Sequence, residues 1–537
     1  MNRQRVLMTA GVAVAALALS GWLLQRGRPA GGVYQQARLF DEVLAHVAEY
    51  YVDSLDERQL YQMAIDGLLA QLGDPYSEFL KPDDFRALSE QTTGNYGGLG
   101  IQIDVRDGWI TVIAPLPETP AERAGIQSGD LIVAIDGRST ENYKNDQAVK
   151  ELRGEAGSAV EITVRRAGVP QPLVFKLTRA IIHVRSVQAA VLLDGGVGYV
   201  RLNPVSSSSA QEVAEAITRL QREGMKSLIF DLRSNPGGLL DQGVAVTELF
   251  LDRGNAIVST RGRAPGSSET YRDQQPQRWP NLPIVVLVNG YAASAAEIIA
   301  GALQDHDRAL VVGTPTFGKG LVQSFWRLTP ETGLKLTTAR WYTPSGRTIQ
   351  RRFATEEEQD AQVIAAARGE DSSTVDSGEV FRTDGGRTVH GGGGIRPDLL
   401  VVADTFTTAE RAFMQALGAR IPVYRDVIAS YALELKAQNA VRERAFTVPD
   451  AMVNEVLRRL AARGAAVDAP VSAGARGLIA RDLGYEAARY VFNREAEIRR
   501  RMADDRQIAE ALQLARRART PQELLTLARP TTPPERN

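Results

Sequence analysis

The sequence predicts a multidomain chain: an α/β layered core over residues 183–403, a β-rich domain inserted ahead of it over 94–182, a helical module over 34–93 and a helical region over 404–528. Three observations carry this reading. Between Gly198 and Ile349, short apolar β-branched runs alternate with helical stretches, the pattern of a layered α/β core. From Tyr96 to Arg179 the pattern changes to short strands separated by Gly turns. Beyond Asp404 the composition becomes Ala, Arg, Glu and Leu at helical spacing. A chain of 537 residues also exceeds what one hydrophobic core fills.

The first element is an uncharged apolar run at residues 6–24, VLMTAGVAVAALALSGWLL, preceded by Arg3 and Arg5. It is long enough to span a bilayer, and Ala18-Leu19-Ser20 also offers a small-x-small cleavage site. Segment 1–28 is therefore expected to be an export signal, retained as a membrane anchor or cleaved, and either outcome places the bulk of the protein outside the cytoplasm. With 63 basic against 64 acidic residues, nothing suggests the concentrated basic face of a nucleic-acid binder. The absence of cysteine excludes thiol nucleophiles, disulfides and Cys-ligated zinc. The four histidines, His46, His183, His306 and His390, form no close pair, so no histidine metal site and no cofactor are expected.

In the helical module, Leu39, Val43, Val47 and Tyr50 fall at helical spacing, as do Leu60, Met63 and Gly67, and Gly73-Asp74-Pro75 ends the pattern. The β-rich domain offers strands at Leu99–Val105, Trp109–Ile113, Leu131–Ile135, Ala159–Arg165 and Leu173–Thr178. Thr119-Pro120 starts one short helix, and a second runs from about Asn145 to Leu152. In the core, strand Tyr199–Leu202 leads to helix Ala210–Glu223, and strand Leu228–Leu232 leads through Ser234-Asn235-Pro236-Gly237-Gly238 to a helix ending near Leu251. Further strands are expected at Ala256–Ser259, Ile284–Val288, Leu310–Val312, Leu321–Trp326 and Lys335–Tyr342. Residues 355–389 lack periodicity and read as a flexible insertion, and 529–537 as a disordered tail. In the C-terminal region, residues 486–519 fit a helix pair or one long helix.

The chemistry concentrates between Pro283 and Gln323. Ser294 follows an apolar strand and a Gly290 turn and opens an Ala-rich helix, where free N–H groups favour developing negative charge. A serine hydroxyl needs a base to take its proton. There is no GxSxG elbow, and His306 would lie roughly 18 Å along the same helix. Lys319 can serve if it is neutral; its neighbours Val311, Val312, Phe317, Leu321 and Val322 are apolar, and no Asp or Glu lies between Asp307 and Glu331. Gln323 could hold the lysine amine without adding a charge. Lys319 and Gln323 share a strand face by parity, though a straight strand would separate them by about 13 Å.

Two resemblances extend this reading. The run GGLGI, ETPAERAGIQSGDLIVAIDG and the helix after it resembles a PDZ domain, which implies that Gly97, Gly98, Leu99, Gly100 and Ile101 bind a peptide C-terminus. With FDEVLAHVAEYYVD, LGDPYSEFLKP, DLRSNPGG, VNGYAASAAEI, GTPTFGKGLVQ and TTARWYTPSGRTI, the chain resembles the C-terminal processing, or tail-specific, proteases from about Gln36 to Asp398. That resemblance implies a serine endopeptidase with a Ser294, Lys319 and Gln323 site in a core similar to the crotonase and Clp protease folds. It assigns the oxyanion hole to the N–H groups of Gly238 and Ala295, and Arg153 to coupling between peptide binding and the site. It implies protein substrates recognised by their tails and no metal or nucleotide. The export segment leads to the expectation of a place in the bacterial envelope, on the periplasmic side, and the Arg/Glu/Ala/Leu helices of the C-terminal region to that of homo-oligomerisation or adaptor docking. Two rivals share parts of the pattern: a catalytically silent PDZ scaffold and a crotonase-like acyl-CoA enzyme.

Overall fold

The computed structural model describes residues 31–166, 168–351 and 379–527, with a few positions between 358 and 365. The expected export signal at 1–28, most of the 355–389 insertion and the tail at 529–537 lie outside the described residues. Among the described residues, no helix is long and apolar enough to cross a membrane.

Two units are distinguished. The first takes in residues up to Pro82 and, from much later in the chain, Gln323–Thr337. It contains the helices Gly31–Tyr50 and Glu57–Ala70, and a strand, Glu78–Leu80, paired antiparallel with Gly333–Lys335. Asp74 closes the turn between helix and strand by accepting Ser77 Oγ at 2.5 Å and Tyr76 N–H at 3.1 Å.

The second unit holds the rest of the chain. Its centre is a six-stranded sheet in the order Val187–Leu193, Val197–Leu202, Ser227–Asp231, Ile284–Val288, Leu310–Gly313, Leu399–Leu400. The first pair is antiparallel and every later pair is parallel. Its central strands are apolar runs because both faces are buried. On one face Phe230, Val286 and Val288 pack with Val213 and Ile217 of helix Ser209–Arg222, Val246 of helix Leu240–Glu248, and Ile298, Ile299 and Leu303 of helix Ala295–Asp305. On the other, Tyr199, Ile229, Val285, Leu287 and Val312 pack against Ile508, Ala511, Leu514 and Ala515 of helix Arg506–Arg517.

The β-rich domain has its own core of Ile110, Val112, Ile132, Ile135, Ala148, Leu152, Ile162 and Val164. Its strands Ile101–Arg106, Trp109–Pro115, Leu131–Ile135, Ala159–Arg165 and Leu173–Thr178 form an antiparallel sheet, with helices Pro120–Arg123 and Asn145–Leu152. The strand expected to start at Leu99 starts at Ile101. Ahead of it, Asn95–Gly98 pairs antiparallel with Ala180–His183, so the chain enters and leaves the domain through one short ribbon.

Past residue 404, helices Thr408–Leu417, Ile421–Ala437, Asp450–Ala462 and Arg476–Ala487 share a core that includes Phe413, Val427, Ile428, Val456, Leu460, Ile479 and Leu483. Residues 486–519 hold a π-helical turn, Ala488–Phe492, and two α-helices, Arg494–Ala503 and Arg506–Arg517. Each α-helix has its own start: Asn493 caps Ala496 N–H at 2.9 Å, and Asp505 caps Ile508 N–H at 3.0 Å.

Candidate active site

Ser294 is the N-cap of helix Ala295–Asp305, with φ 54° and ψ −119°, in the positive-φ region that residues with a side chain rarely occupy. Neighbouring bonds hold the turn there. Ala293 N–H donates to Asn235 O at 2.9 Å, Phe317 N–H donates to Ala292 O at 3.0 Å, and Ser234 N–H donates to Asn289 Oδ1 at 2.8 Å. The third amide of the helix, on Glu297, bonds the Ser294 carbonyl at 2.8 Å, and the Glu297 side chain returns to the Ser294 N–H in a capping box.

Glu297 is the residue the sequence reading missed. Its side chain is fully buried. Oε2 accepts the N–H of Ser294 at 2.8 Å and of Lys319 at 2.9 Å; Oε1 accepts Gly318 N–H at 2.7 Å and Thr316 Oγ1 at 2.5 Å. The backbones that carry Ser294 and Lys319 therefore meet at one oxygen atom. Burial pushes the Glu297 carboxyl above its ordinary pKa, against the pull of Thr316 and the three amides. The expectation of a neighbourhood without carboxylates is thus corrected, because the acid comes from the preceding helix. The signal for it was the Ser-x-x-Glu spacing of a capping box, which reads as an ordinary helix start.

Lys319 does not stand on a strand. It lies in the segment 314–320, ahead of strand Leu321–Arg327, with Gly318 at φ 90°. The parity argument that put Lys319 and Gln323 on one strand face therefore fails: the loop is shaped by bonds to other segments. Trp341 Nε1 donates to Lys319 O at 2.9 Å, Gly320 N–H to Gln350 Oε1 at 2.8 Å, and Arg351 N–H to Gly318 O at 2.9 Å. Gln323 belongs to the first unit, where its Nε2 donates to Thr337 Oγ1 at 3.2 Å.

Gly238 and Ala295 are brought to the same turn. Val205 N–H donates to Gly237 O at 2.9 Å and Leu239 N–H to Val205 O at 3.1 Å. A Cβ on Gly238 would sit 1.9 Å from Val205 O, and one on Gly237 would sit 2.8 Å from both Ser294 Cβ and Ala295 N, so neither position has room for a side chain. Among the described residues, no hydrogen bond uses the N–H of Gly238 or Ala295. The loop leaves its strand through Asp231, which is fully buried and accepts Tyr199 OH at 2.7 Å, Arg233 Nε at 3.0 Å and Arg233 Nη2 at 2.7 Å. Burial raises the Asp231 pKa, and the Arg233 guanidinium outweighs it, holding the carboxyl below its ordinary value. His306 sits at the far end of the Ser294 helix, bonded to Asp384 and to Ala256 O, each at 2.7 Å.

In the β-rich domain, a cleft of about 160 Å³ lies between strand Ile101–Arg106 and helix Asn145–Leu152. Leu99, Gly100 and Ile101 line it with Tyr96, Ile103, Val149, Leu152 and Arg153. Gly97 and Gly98 are not among its lining residues, because they pair with Ile181 and Ala180 in the entry ribbon. Arg153 stacks over the Tyr96 ring at 4.5 Å and forms an ion pair with Glu90.

The family model for peptidase family S41 matches residues 196–358, that for the PDZ domain matches 111–166, and that for the activating protease CtpB N-terminal domain matches 29–83. A carboxy-terminal-processing protease of Bartonella bacilliformis is 40% identical over 321 residues, spanning 59% of this chain and 73% of that protein. A carboxyl-terminal-processing protease of a Picosynechococcus species is 41% identical over 285 residues, 52% of this chain and 68% of that one. Among solved structures, a photosystem II D1 C-terminal processing protease is similar at 33% identity and a TM-score of 0.32, over 57% of this chain and 88% of its own. The chain belongs to the carboxy-terminal-processing proteases of peptidase family S41, and is a serine-type peptidase with a PDZ domain.

Proposed function

We propose that this protease is exported, takes substrate C-termini in its PDZ cleft and cleaves with Ser294 as nucleophile and Lys319 as general base. The observation that carries the assignment is the convergence of the Ser294 and Lys319 amides on Oε2 of Glu297. Ser294 Oγ attacks the scissile carbonyl carbon as Lys319 Nζ takes its proton. The carbonyl oxygen becomes an oxyanion held by the N–H groups of Gly238 and Ala295. Collapse breaks the C–N bond, and Lys319 returns the proton to the leaving amine. Water, deprotonated by Lys319, then releases the acyl group from Ser294. Gln323 is assigned to the set by motif resemblance alone. The parallel strands flanked by helices support a core of the crotonase and Clp protease type.

The cleft suits an apolar tail: Leu99, Ile101, Ile103, Val149 and Leu152 supply its walls, and the turn at Gly100 supplies backbone amides for the carboxylate. A reporter substrate with an unstructured apolar C-terminal tail tests this. Amidation of the tail is expected to raise KM by at least about tenfold, since a charge-assisted hydrogen-bond set is lost. Equal KM for the acid and the amide would remove tail recognition from the proposal.

Self-association is assigned to the N-terminal helices, which expose Tyr34, Leu39, Phe40, Val43 and Tyr50. The C-terminal helices instead bury their apolar side chains within the chain. Residues 6–24 are assigned to export and membrane attachment, with the protease on the periplasmic side. Cell fractionation followed by sedimentation of the detergent-extracted full chain checks both assignments. Recovery from the membrane fraction and a mass above that of one chain are expected; a cytosolic monomer would overturn them.

A further inference from the structure

We propose that Asp505 and Gln507, at the start of helix Arg506–Arg517, are positioning residues for the loop that presents Gly238, acting through Arg233; this rests on the assignment of the Gly238 N–H to the oxyanion hole. Arg233 stands at the root of that loop, directly before Ser234, which itself adopts φ 58°. One edge of its guanidinium, Nε and Nη2, is taken by Asp231. The remaining nitrogen, Nη1, donates to Asp505 Oδ2 and to Gln507 Oε1, each at 2.8 Å. Asp231 alone would hold the guanidinium along one edge and leave its outer nitrogen to water. With the helix in place, one partly buried cation is gripped on two sides and its plane is set.

The two acceptors are themselves held. The other oxygen of Asp505 caps the helix through Ile508 N–H at 3.0 Å. Gln507 is 1% exposed, and its Nε2 donates to Val401 O at 2.6 Å. Behind them, Ile508, Ala511 and Leu514 anchor the helix on the sheet face opposite the Ser294 helix. Capping requires only Asp505 Oδ1, and anchoring requires only the apolar side chains. Neither explains a buried glutamine turned toward Arg233. Because Ser234 and Asn235 tie the rest of the loop to Asn289 and Ala293, a change in the Arg233 plane is passed to the turn beside Ser294. The C-terminal region is thus part of the support of the reaction centre.

The test uses the full chain and the tailed reporter substrate. Asp505→Asn keeps the helix cap and removes the charge; Gln507→Leu removes the second acceptor at similar volume. For the double variant, kcat is expected to fall about tenfold while KM stays within about twofold, as for a small displacement of catalytic groups. Affinity for a peptide aldehyde, whose hemiacetal oxygen on Ser294 takes the oxyanion position, is expected to fall by the same factor as kcat/KM. Asp505→Asn alone, which leaves Gln507 Oε1 as the acceptor for Arg233 Nη1, is expected to recover most of the loss. A double variant with kcat within about twofold of the parent overturns the inference. So does a fall in kcat that tracks Tm while aldehyde affinity is unchanged, which marks a structural brace only. Should the double variant not fold, Gln507→Leu alone is read the same way, with a fall of about threefold expected. Ser294→Ala in the same assay separates the two levels: turnover surviving there would sink the site assignment itself, whatever the Asp505 and Gln507 variants do.

Discussion

Ser294→Ala is expected to lower kcat by at least about 10⁴-fold while leaving stability within about 0.5 kcal/mol of the parent. The two halves of this result argue against each other's bland explanation. A serine that serves only as a helix cap would lose about 1 kcal/mol of stability on truncation and little activity. Here the N3 amide is already satisfied by the Ser294 carbonyl at 2.8 Å, so removal of the hydroxyl should leave the fold intact. Lys319→Arg provides the second arm. It retains a positive charge but cannot be deprotonated near neutrality, so kcat is expected to fall about 10³-fold or more. A binding or charge-pairing role for Lys319 would instead be largely preserved by arginine. Steady-state kinetics on the tailed reporter together with thermal denaturation decide the matter. Turnover surviving in either variant would require a different nucleophile or base.

What could be read from the chain beforehand follows from how local each cause is. The strand runs at 228–232 and 284–288 were legible because a sheet covered on both faces needs unbroken apolar residues. The turn and Ala-rich helix around Ser294 were legible because a cap, a turn glycine and helix formers are neighbours in sequence. Glu297 was not, since the donors that bury it at Thr316, Gly318 and Lys319 arrive from across the next strand. For the same reason the parity of Lys319 and Gln323 misled: alternation holds only inside a strand, and tertiary bonds end the strand at Leu321. Gly97 and Gly98 looked like part of the carboxylate loop, but pairing with residues at the far end of the domain claims them for a ribbon. The second sheet face was equally hidden. The amphipathic pattern of Arg506–Arg517 announces an apolar stripe without saying that the stripe closes the protease core.

Glu297→Gln is expected to reduce kcat by about 10²-fold or more and to destabilise the fold by about 3 kcal/mol. The carboxylate accepts four donors, two on each oxygen. An amide has one oxygen to offer, and in either orientation its NH₂ would face a backbone N–H that also donates. Whichever way the amide turns, at least one backbone donor is stranded: either the Ser294 and Lys319 amides, or the Gly318 amide, where only the Thr316 hydroxyl can turn to accept from the NH₂. The first outcome separates the two backbones that carry the nucleophile and the base; the second releases the loop that delivers Lys319. The same geometry sets a pH dependence. Burial raises the Glu297 pKa, and three of the four partners are amides that can only donate, so a proton arriving there either displaces one of them or makes the Thr316 hydroxyl turn from donor to acceptor. Activity is therefore expected to rise with pH through an acid limb lying above the ordinary glutamate value, as the ionised form that makes all four bonds is populated. Stability runs with the opposite sign. A carboxyl with a higher pKa folded than unfolded takes up a proton on folding, so this group's contribution is fully present below the unfolded value and is lost as pH rises through the folded one. In Glu297→Gln both effects should disappear together, leaving a low activity whose acid limb no longer contains this group. A pH–kcat profile on the parent and the variant, with thermal denaturation at each pH, checks the pair of signs. An acid limb unchanged by the substitution would show that Glu297 holds the fold without setting the site.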